Sequence, residues 1–328
     1  MLQYIVRRVI LTIPTMFVIS VISFVLIQLP PGDFLTTYAA NLSAMGETVS
    51  ADQLENLRQS YGLGQPVYVQ YAKWISNILL HGDFGRSFEW QIAVDKLIWQ
   101  ALGITVALSL FTLLFTWLLA IPIGVYSATH QYSLGDYIAT FIGFVGLGVP
   151  SFMIALVLMW VAYAYFNQDV GGLFSDQFKN APWNLAKIWD MLKHFWIPTL
   201  VLGLGGTAGL IRTMRANTLD ELHKPYVMTA ASKGLKHSTL IWKYPVRVAL
   251  NPFVSGAGLQ LPELISGGTI VGVVLSLPTA GPMLLRALQS QDMYLAGAFV
   301  LLLSLLTVVG TLISDIALAW LDPRIRYS

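Results

Sequence analysis

Pro225-Tyr-Val-Met-Thr-Ala-Ala-Ser-Lys-Gly234 lies inside a basic, turn-rich insert, Arg212 to Pro252, with strongly apolar sequence on either side. The insert carries seven Lys/Arg (Arg212, Arg215, Lys224, Lys233, Lys236, Lys243, Arg247) against two acids, Asp220 and Glu221. Between membrane spans such a loop belongs on the cytoplasmic side, where short loops collect positive charge. It is also longer than a helix connection needs, which assigns it a task there. Pro225 suits the first turn of a helix, and Asp220 and Glu221 precede it at the pole that favours anions. Gly234 can supply the left-handed residue that stops the helix, with Lys233 and Lys236 near the negative pole. The spacing predicts a rod of about nine residues, ~13 Å at 1.5 Å per residue. Ala230 and Gly234 stand four apart and leave a smooth strip that another protein could approach. The alternative is a small-residue helix packed on the chain's own helix ends.

The composition supports spans on both sides of this insert. Hydrophobic residues make up 55% of the 328 and charged residues 11%, with a mean hydropathy of +0.65. A soluble domain has about 25% charged residues. The formal charge of +2 is too small to imply nucleic-acid binding. The absence of cysteine excludes disulfides, thiolate metal sites and a cysteine nucleophile.

Six apolar runs of roughly spanning length are expected: Val9–Leu29, Ala101–Tyr126, Tyr137–Phe166, Trp196–Ile211, Phe253–Val274 and Leu295–Trp320. Arg7-Arg8 ahead of the first run resembles a signal peptide. The run is too long for a signal core, however, and a Pro30-Pro31-Gly32 stop follows it, so it reads as a retained span. Pro14, Pro122, Pro150 and Pro198 are tolerable in spans whose neighbours satisfy the freed carbonyls. Gly205-x-x-x-Gly209 and Gly268-x-x-x-Gly272 each allow close helix packing. With both termini inside, eleven of the nineteen Lys/Arg fall on the cytoplasmic side. The fold class is therefore all-α: one polytopic transmembrane domain, 1–328, with about six spans. Its outer loop is 30–100 and its inner loop 212–252.

The outer segments are rich in aromatics. Pro30 to Gln100 holds helix-like Ala51–Ser60, then Tyr61-Gly-Leu-Gly-Gln-Pro66 and the turn His81-Gly-Asp-Phe-Gly-Arg-Ser87. Phe166 to Phe195 adds several Trp and Phe. These aromatics read either as an interfacial belt against membrane lipid or as a docking surface for an extracytoplasmic protein.

The motifs that carry chemistry are missing. There is no Gly-x-x-x-x-Gly-Lys-Ser/Thr loop and no His-Glu-x-x-His, and the five histidines are scattered. Catalytic residues, a metal site and a resident cofactor are not expected. Ionisable groups at membrane depth are the default site candidates. Asp136 reads as a helix cap after Ser133, and Asp315 lies close to a helix end. Glu263, beside Pro262 and before Gly267-Gly268, is the favoured candidate for a solute path; the alternative is a structural pair with a neighbouring helix.

With these residues in place, the chain resembles the inner-membrane permease subunits of binding-protein-dependent ABC importers, in the dipeptide/oligopeptide/nickel branch. The likeness runs from end to end. Tyr4-Ile-Val-Arg-Arg-Val-Ile10, Pro31-Gly-Asp33, Tyr61 to Tyr71, Gly82 to Ser87, Gly148-Val-Pro-Ser151 and Leu321-Asp-Pro-Arg324 all resemble family segments. The family's inner-loop signature runs Glu-Ala-Ala, three residues, Gly, nine residues, Ile-x-Leu-Pro. Anchored on Gly234, it puts Met228, Thr229 and Ala230 on Glu-Ala-Ala, and Tyr244, Pro245, Val246 and Arg247 on Ile-x-Leu-Pro. Only Ala230 is kept literally, and the departures are those of the peptide branch.

The resemblance implies that Tyr226, Thr229, Ala230, Ala231, Lys233, Gly234, Leu235 and Lys236 seat in a groove of an ATP-binding subunit. It also implies a second homologous permease, two ATP-binding subunits that hold the ATP, and an extracytoplasmic solute-binding protein. Gly272 stands where many peptide and nickel permeases carry a glutamate, which argues against a strongly cationic solute and makes it a second path candidate. Peptide is the first expectation for the solute and oligosaccharide the alternative. A stand-alone channel or secondary transporter would need no such insert, and an intramembrane enzyme would need paired catalytic groups that no span supplies.

Overall fold

The computed structural model describes residues 2–28, 59, 65–87, 89–166, 171–179 and 181–321; side chains at 2–5, 259, 261–267 and 321 lie outside that description. Every regular element among the described residues is a helix, and the one extended pairing is an isolated bridge between Arg86 and Ala93. The chain starts with α1 (Leu2–Gln28), α2 (Val67–His81) and the 36-residue α3 (Val94–Thr129). Next come α4 (Leu134–Gly148), α5 (Ser151–Phe166), the short α6 (Asp176–Lys179) and α7 (Leu185–His194). Then follow α8 (Trp196–Leu222), α9 (Pro225–Ser232), α10 (His237–Lys243) and α11 (Pro245–Ala249). The last are α12 (Asn251–Val274), α13 (Ala280–Gln289) and α14 (Met293–Leu321). The helix-like reading of Ala51–Ser60 (Gln59 apart), about half of the first outer loop and the C-terminal Asp322-Pro-Arg324 fall outside the described residues.

Among the described residues, four helices are long and apolar enough to cross a membrane: α1 over Val6–Gln28, α3, α8, and α14 over Met293–Trp320. The expected third span breaks at Gly148-Val-Pro-Ser151, the stretch that resembles a turn in the family's third span. It is two helices, α4 and α5, bent by 105° at Val149-Pro150, and together they pass as a fifth span. Proline disfavours the helical region for the residue before it, and Val149 accordingly sits at φ −93°, ψ 127°. Pro14 and Pro122, by contrast, are carried inside unbroken helices. The expected span Phe253–Val274 is occupied by α12, 24 residues long. The fourth span does not stop at Ile211 but runs on to Leu222. The same face stays buried through Thr207, Met214 and Thr218, and nothing interrupts the turn until Pro225.

The chain divides into two compact units. The first comprises Met1–Arg7, Ile104–Pro282 and Thr307–Ser328. Within it, α3 is inside-out by the standards of a soluble helix. Thr105, Ser109, Thr112 and Thr116, spaced four, three and four, are buried, while Leu110, Phe111, Leu114 and Leu118 are exposed. Lipid tails solvate such an apolar face, and small hydroxylated residues let helices approach each other. α8 runs parallel to α3 at close range: a methyl added to Gly124 would lie 2.5 Å from Met214 Cβ, and one on Gly203 3.1 Å from Phe115 Cδ1. α4 lies antiparallel to α8, with Gly143 against Ala208 and Gly146 against the Leu204 carbonyl. α12 meets α14 backbone to backbone at Gly258 and Gly310, where the Gly258 N–H donates to Ser314 Oγ at 2.6 Å.

The second unit comprises Arg8–Gly103 and Met283–Leu306. Here α1 and α2 pack through Phe24, with Tyr71 and Trp74 at ring separations of 5.5 and 5.7 Å, and Ser20 and Tyr71 share a 2.7 Å hydrogen bond. The turn after α2 is tightly folded. Gly82 takes φ 67° and Gly85 φ 96°, and the Tyr294 ring occupies the space a side chain on Gly85 would need. The buried Asp292 carboxylate accepts from Ser87 Oγ at 2.5 Å, from the Glu89 N–H at 3.2 Å and from the Leu295 N–H at 3.3 Å, the last at the start of α14. Arg286 pairs with Glu89 at 2.9 Å and lies 5.0 Å from the Trp90 ring centre.

Candidate functional site

The first unit holds a cavity of about 480 Å³ walled by the bend of α4 and α5, by α8 and by α12. Its surface is mostly backbone and aliphatic. Gly205, Gly206 and Gly209 of α8 face it, and the polar side chains at its wall are Thr116, Ser151 and Gln260. A methyl on Gly209 would meet nothing within 4 Å. Of the pair read as a packing seam, a Cβ on Gly205 would still meet the Gly146 carbonyl of α4 at 3.9 Å, while Gly209 opens on the cavity. Glycine and glutamine bring no charge to mark a site, so the glycine spacing pointed to packing alone and Gln260 to nothing.

The two expected path residues fare differently. Gly272 is buried, and a Cβ there would lie 2.6 Å from Pro282 Cγ and 3.3 Å from Thr279 Oγ1. It packs against Thr279 and Pro282 at the start of α13 and is not among the residues that line this cavity. Glu263 has its backbone in α12, one turn after Gln260, but its side chain lies outside the described residues.

The same α8 that walls the cavity leads into the insert. From Gly209 to Leu222 it extends about 20 Å at 1.5 Å per residue, and α9 begins at Pro225. The local sequence acts as expected. Pro225 opens the helix, Ser232 ends it, and Gly234 takes φ 76°, a left-handed conformation that glycine adopts without strain. The faces of α9 are not as expected. Val227 and Ala230 turn inward and bury against Leu240, flanked by Leu235 and Tyr244. Ala230 is therefore part of the chain's own packing, not of a free strip. Tyr226, Met228, Thr229, Ala231, Lys233, Gly234 and Lys236 remain exposed, Met228 at 63%. Tyr226 donates to the Glu221 carboxylate, tying α9 back to the end of α8. Burial, and next that bond, raise the Tyr226 phenol above its usual value, so it stays neutral and able to donate.

Asp136 does more than cap α4. It accepts from the Tyr132 N–H at 3.0 Å, and Arg215 of α8 reaches it at 3.3 Å, with the Asp136 side chain 6% exposed and Arg215 31%. The cap was legible from Ser133; the partner, seventy-nine residues away, was not. Asp315 is half-buried in α14.

The sequence compares with known families along its whole length. A family described as "Binding-protein-dependent transport system inner membrane component" matches residues 120–327, and its N-terminal companion family matches residues 1–109. The chain is 35% identical over its full length to the oligopeptide transport system permease protein AppB of Bacillus subtilis, whose own length is also fully covered. It is 30% identical, again over the whole of both chains, to the glutathione transport system permease protein GsiC of Escherichia coli. The solved inward-facing MetNI methionine ABC transporter is similar in fold over 69% of this chain and 96% of its own, at 15% identity and a TM-score of 0.50. A chain of apolar spans, matched by these two families over all but a few residues, belongs to the binding-protein-dependent transport system inner membrane components.

Proposed function

We propose that this chain is one half of the translocation pore of a peptide importer, driven by ATP-binding subunits that dock on α9. One observation carries the reading: a single helix, α8, both walls the cavity with Gly205, Gly206 and Gly209 and bears α9 three residues past its end. A push on α9 then acts on the cavity wall through a continuous rod held by Asp136–Arg215 and Tyr226–Glu221. The exposed face of α9, Met228, Thr229 and Ala231 with Lys233 and Gly234 at its end, is the surface offered to the ATPase. AppB and GsiC are named for oligopeptides and glutathione, which favours peptide over oligosaccharide as the solute.

In this reading both termini and the 212–252 insert are cytoplasmic. A second homologous permease completes the pore, two ATP-binding subunits lie beneath, and a solute-binding protein delivers from outside. Weak solute contacts in the pore suffice, because the delivered complex need only differ in affinity between the two states of the cycle. Reconstitution in proteoliposomes with the co-purifying subunits tests this. Labelled peptide should accumulate only with ATP and the binding protein. Uptake of an oligosaccharide without peptide would overturn the solute, and uptake independent of ATP would overturn the importer.

A further inference from the structure

α7 is built backwards. On this ten-residue helix Lys187, Asp190 and His194 face inward and are buried, while Leu185, Ile188, Trp189 and Leu192, at i, i+3, i+4 and i+7, are exposed. Leu185 is 85% exposed and Trp189 63%. The inward polar groups are matched locally, with His194 Nε2 the exception. Lys187 Nζ donates to the Ala181 carbonyl at 2.7 Å and lies 4.9 and 5.1 Å from the Phe174 and Trp183 ring centres. Asp190 accepts from the Ser175 N–H at 2.8 Å and from Ser175 Oγ at 2.7 Å. The Asp190 carbonyl lies 2.8 Å from His194 Nδ1. With Lys187 and Asp190 satisfied on the protein side and Lys193 exposed at its edge, the helix has an apolar stripe to offer outward.

The surroundings fix what meets that stripe. α8 begins at Trp196, two residues after α7 ends, so α7 is level with the start of a span. The Phe166 ring at the end of α5 contacts Trp196 at 6.4 Å, which brings the end of α5 to the same level. Trp160, Tyr163, Tyr165 and Phe166 are exposed there, as in the aromatic girdle of a membrane–water boundary, and Trp183 and Trp189 continue it. We infer that α7 is an interfacial helix whose Leu185, Ile188, Trp189 and Leu192 face insert among the lipids of the leaflet opposite the 212–252 insert. A helix with its apolar face sunk about 5–10 Å into the headgroup–acyl boundary has this pattern. The inference stands on the geometry of residues 166–196 and does not require the solute or the ATPase assignment.

Because the chain has no cysteine, single cysteines can be introduced without a background. Ile188→Cys, Trp189→Cys and Leu192→Cys, each spin-labelled in the complete transporter in lipid nanodiscs, report collisions with oxygen and with a water-soluble nickel chelate. Ser238→Cys, exposed in the insert, serves as the aqueous reference. Oxygen accessibility should exceed nickel accessibility several-fold at 188, 189 and 192, and the order should reverse at 238. Nickel dominating on α7 would mean water, or a soluble partner that comes and goes, and would overturn the inference. Exclusion of both reagents would place a second permease or another protein there and equally overturn it. A second measurement avoids labels: brominated lipid should quench a share of tryptophan emission that Trp189→Phe removes, and an unchanged quenched share would contradict lipid contact.

Discussion

At Ala230 a single side chain separates folding from docking. It is buried against α10, so Ala230→Trp overfills a packed site, at a cost of about 1–3 kcal/mol, and should lower the unfolding midpoint of the permease even without its partners. Thr229→Arg on the exposed face should leave that midpoint unchanged while reducing recovery of ATP-binding subunits in a pull-down. Equal effects of the two on the midpoint would show that the faces of α9 are assigned wrongly. Gly272→Glu belongs with Ala230→Trp: it drives a carboxylate into the space held by Pro282, and a loss of thermal stability, not a change of solute charge preference, is the expected readout. Sequence could mark the ends of α9 because proline and glycine act through the backbone alone. It could not tell which face turned inward, since alanine and threonine suit either side, and that depended on Leu240, ten residues on.

Between elements, the contacts that hold α8 are of two kinds, and they should respond differently. Arg215→Ala strips a buried carboxylate of its partner, with an expected loss of about 3 kcal/mol, near the low end for a buried pair because Arg215 itself reaches water. The exchange of the two residues, Asp136→Arg with Arg215→Asp, should recover part of that loss in a thermal-shift assay, whereas two independent structural roles would make the losses add. The glycine contacts are steric. Gly258→Ala pushes a methyl to 2.5 Å from the Gly310 carbonyl and should destabilise the α12–α14 crossing, while Gly209→Ala opens onto the cavity and should not. The latter should gain helix stability, by up to about 1 kcal/mol, and alter transport if the cavity is the path. In the sequence Gly258 and Gly209 look alike, each a glycine within an apolar helix. What distinguishes them is whether another backbone lies opposite, and spacing does not carry that. The 105° bend was legible only through the likeness of Gly148-Val-Pro-Ser151 to a family turn: by itself Pro150 reads like Pro14 and Pro122, yet of the three only Pro150 follows an extended residue.

For the molecule as a whole, the apolar runs sufficed to predict a helical membrane protein, because burial in lipid demands long hydrophobic segments; the six expected spans stand against four such helices, or five with the bent pair, among the described residues, and the family came from the motif stretches. The proposed sidedness rests on the distribution of Lys and Arg, and it can be measured. Ser238→Cys should react with a membrane-impermeant maleimide in inside-out vesicles and stay unlabelled in right-side-out ones; the opposite result would invert the topology and with it the coupling assignment. The layout places the narrowest chemistry at the ends of α8 and the emptiest region at its middle, which only the folded arrangement could reveal.

That emptiness has a consequence. A lining of five glycines, a few aliphatics, two hydroxyls and one side-chain amide carries no charged group by which to tell one cargo from another, so girth and length become the main things it could sense. Discrimination among chemically diverse molecules would then rest with whatever captures them beforehand, leaving this conduit broadly tolerant.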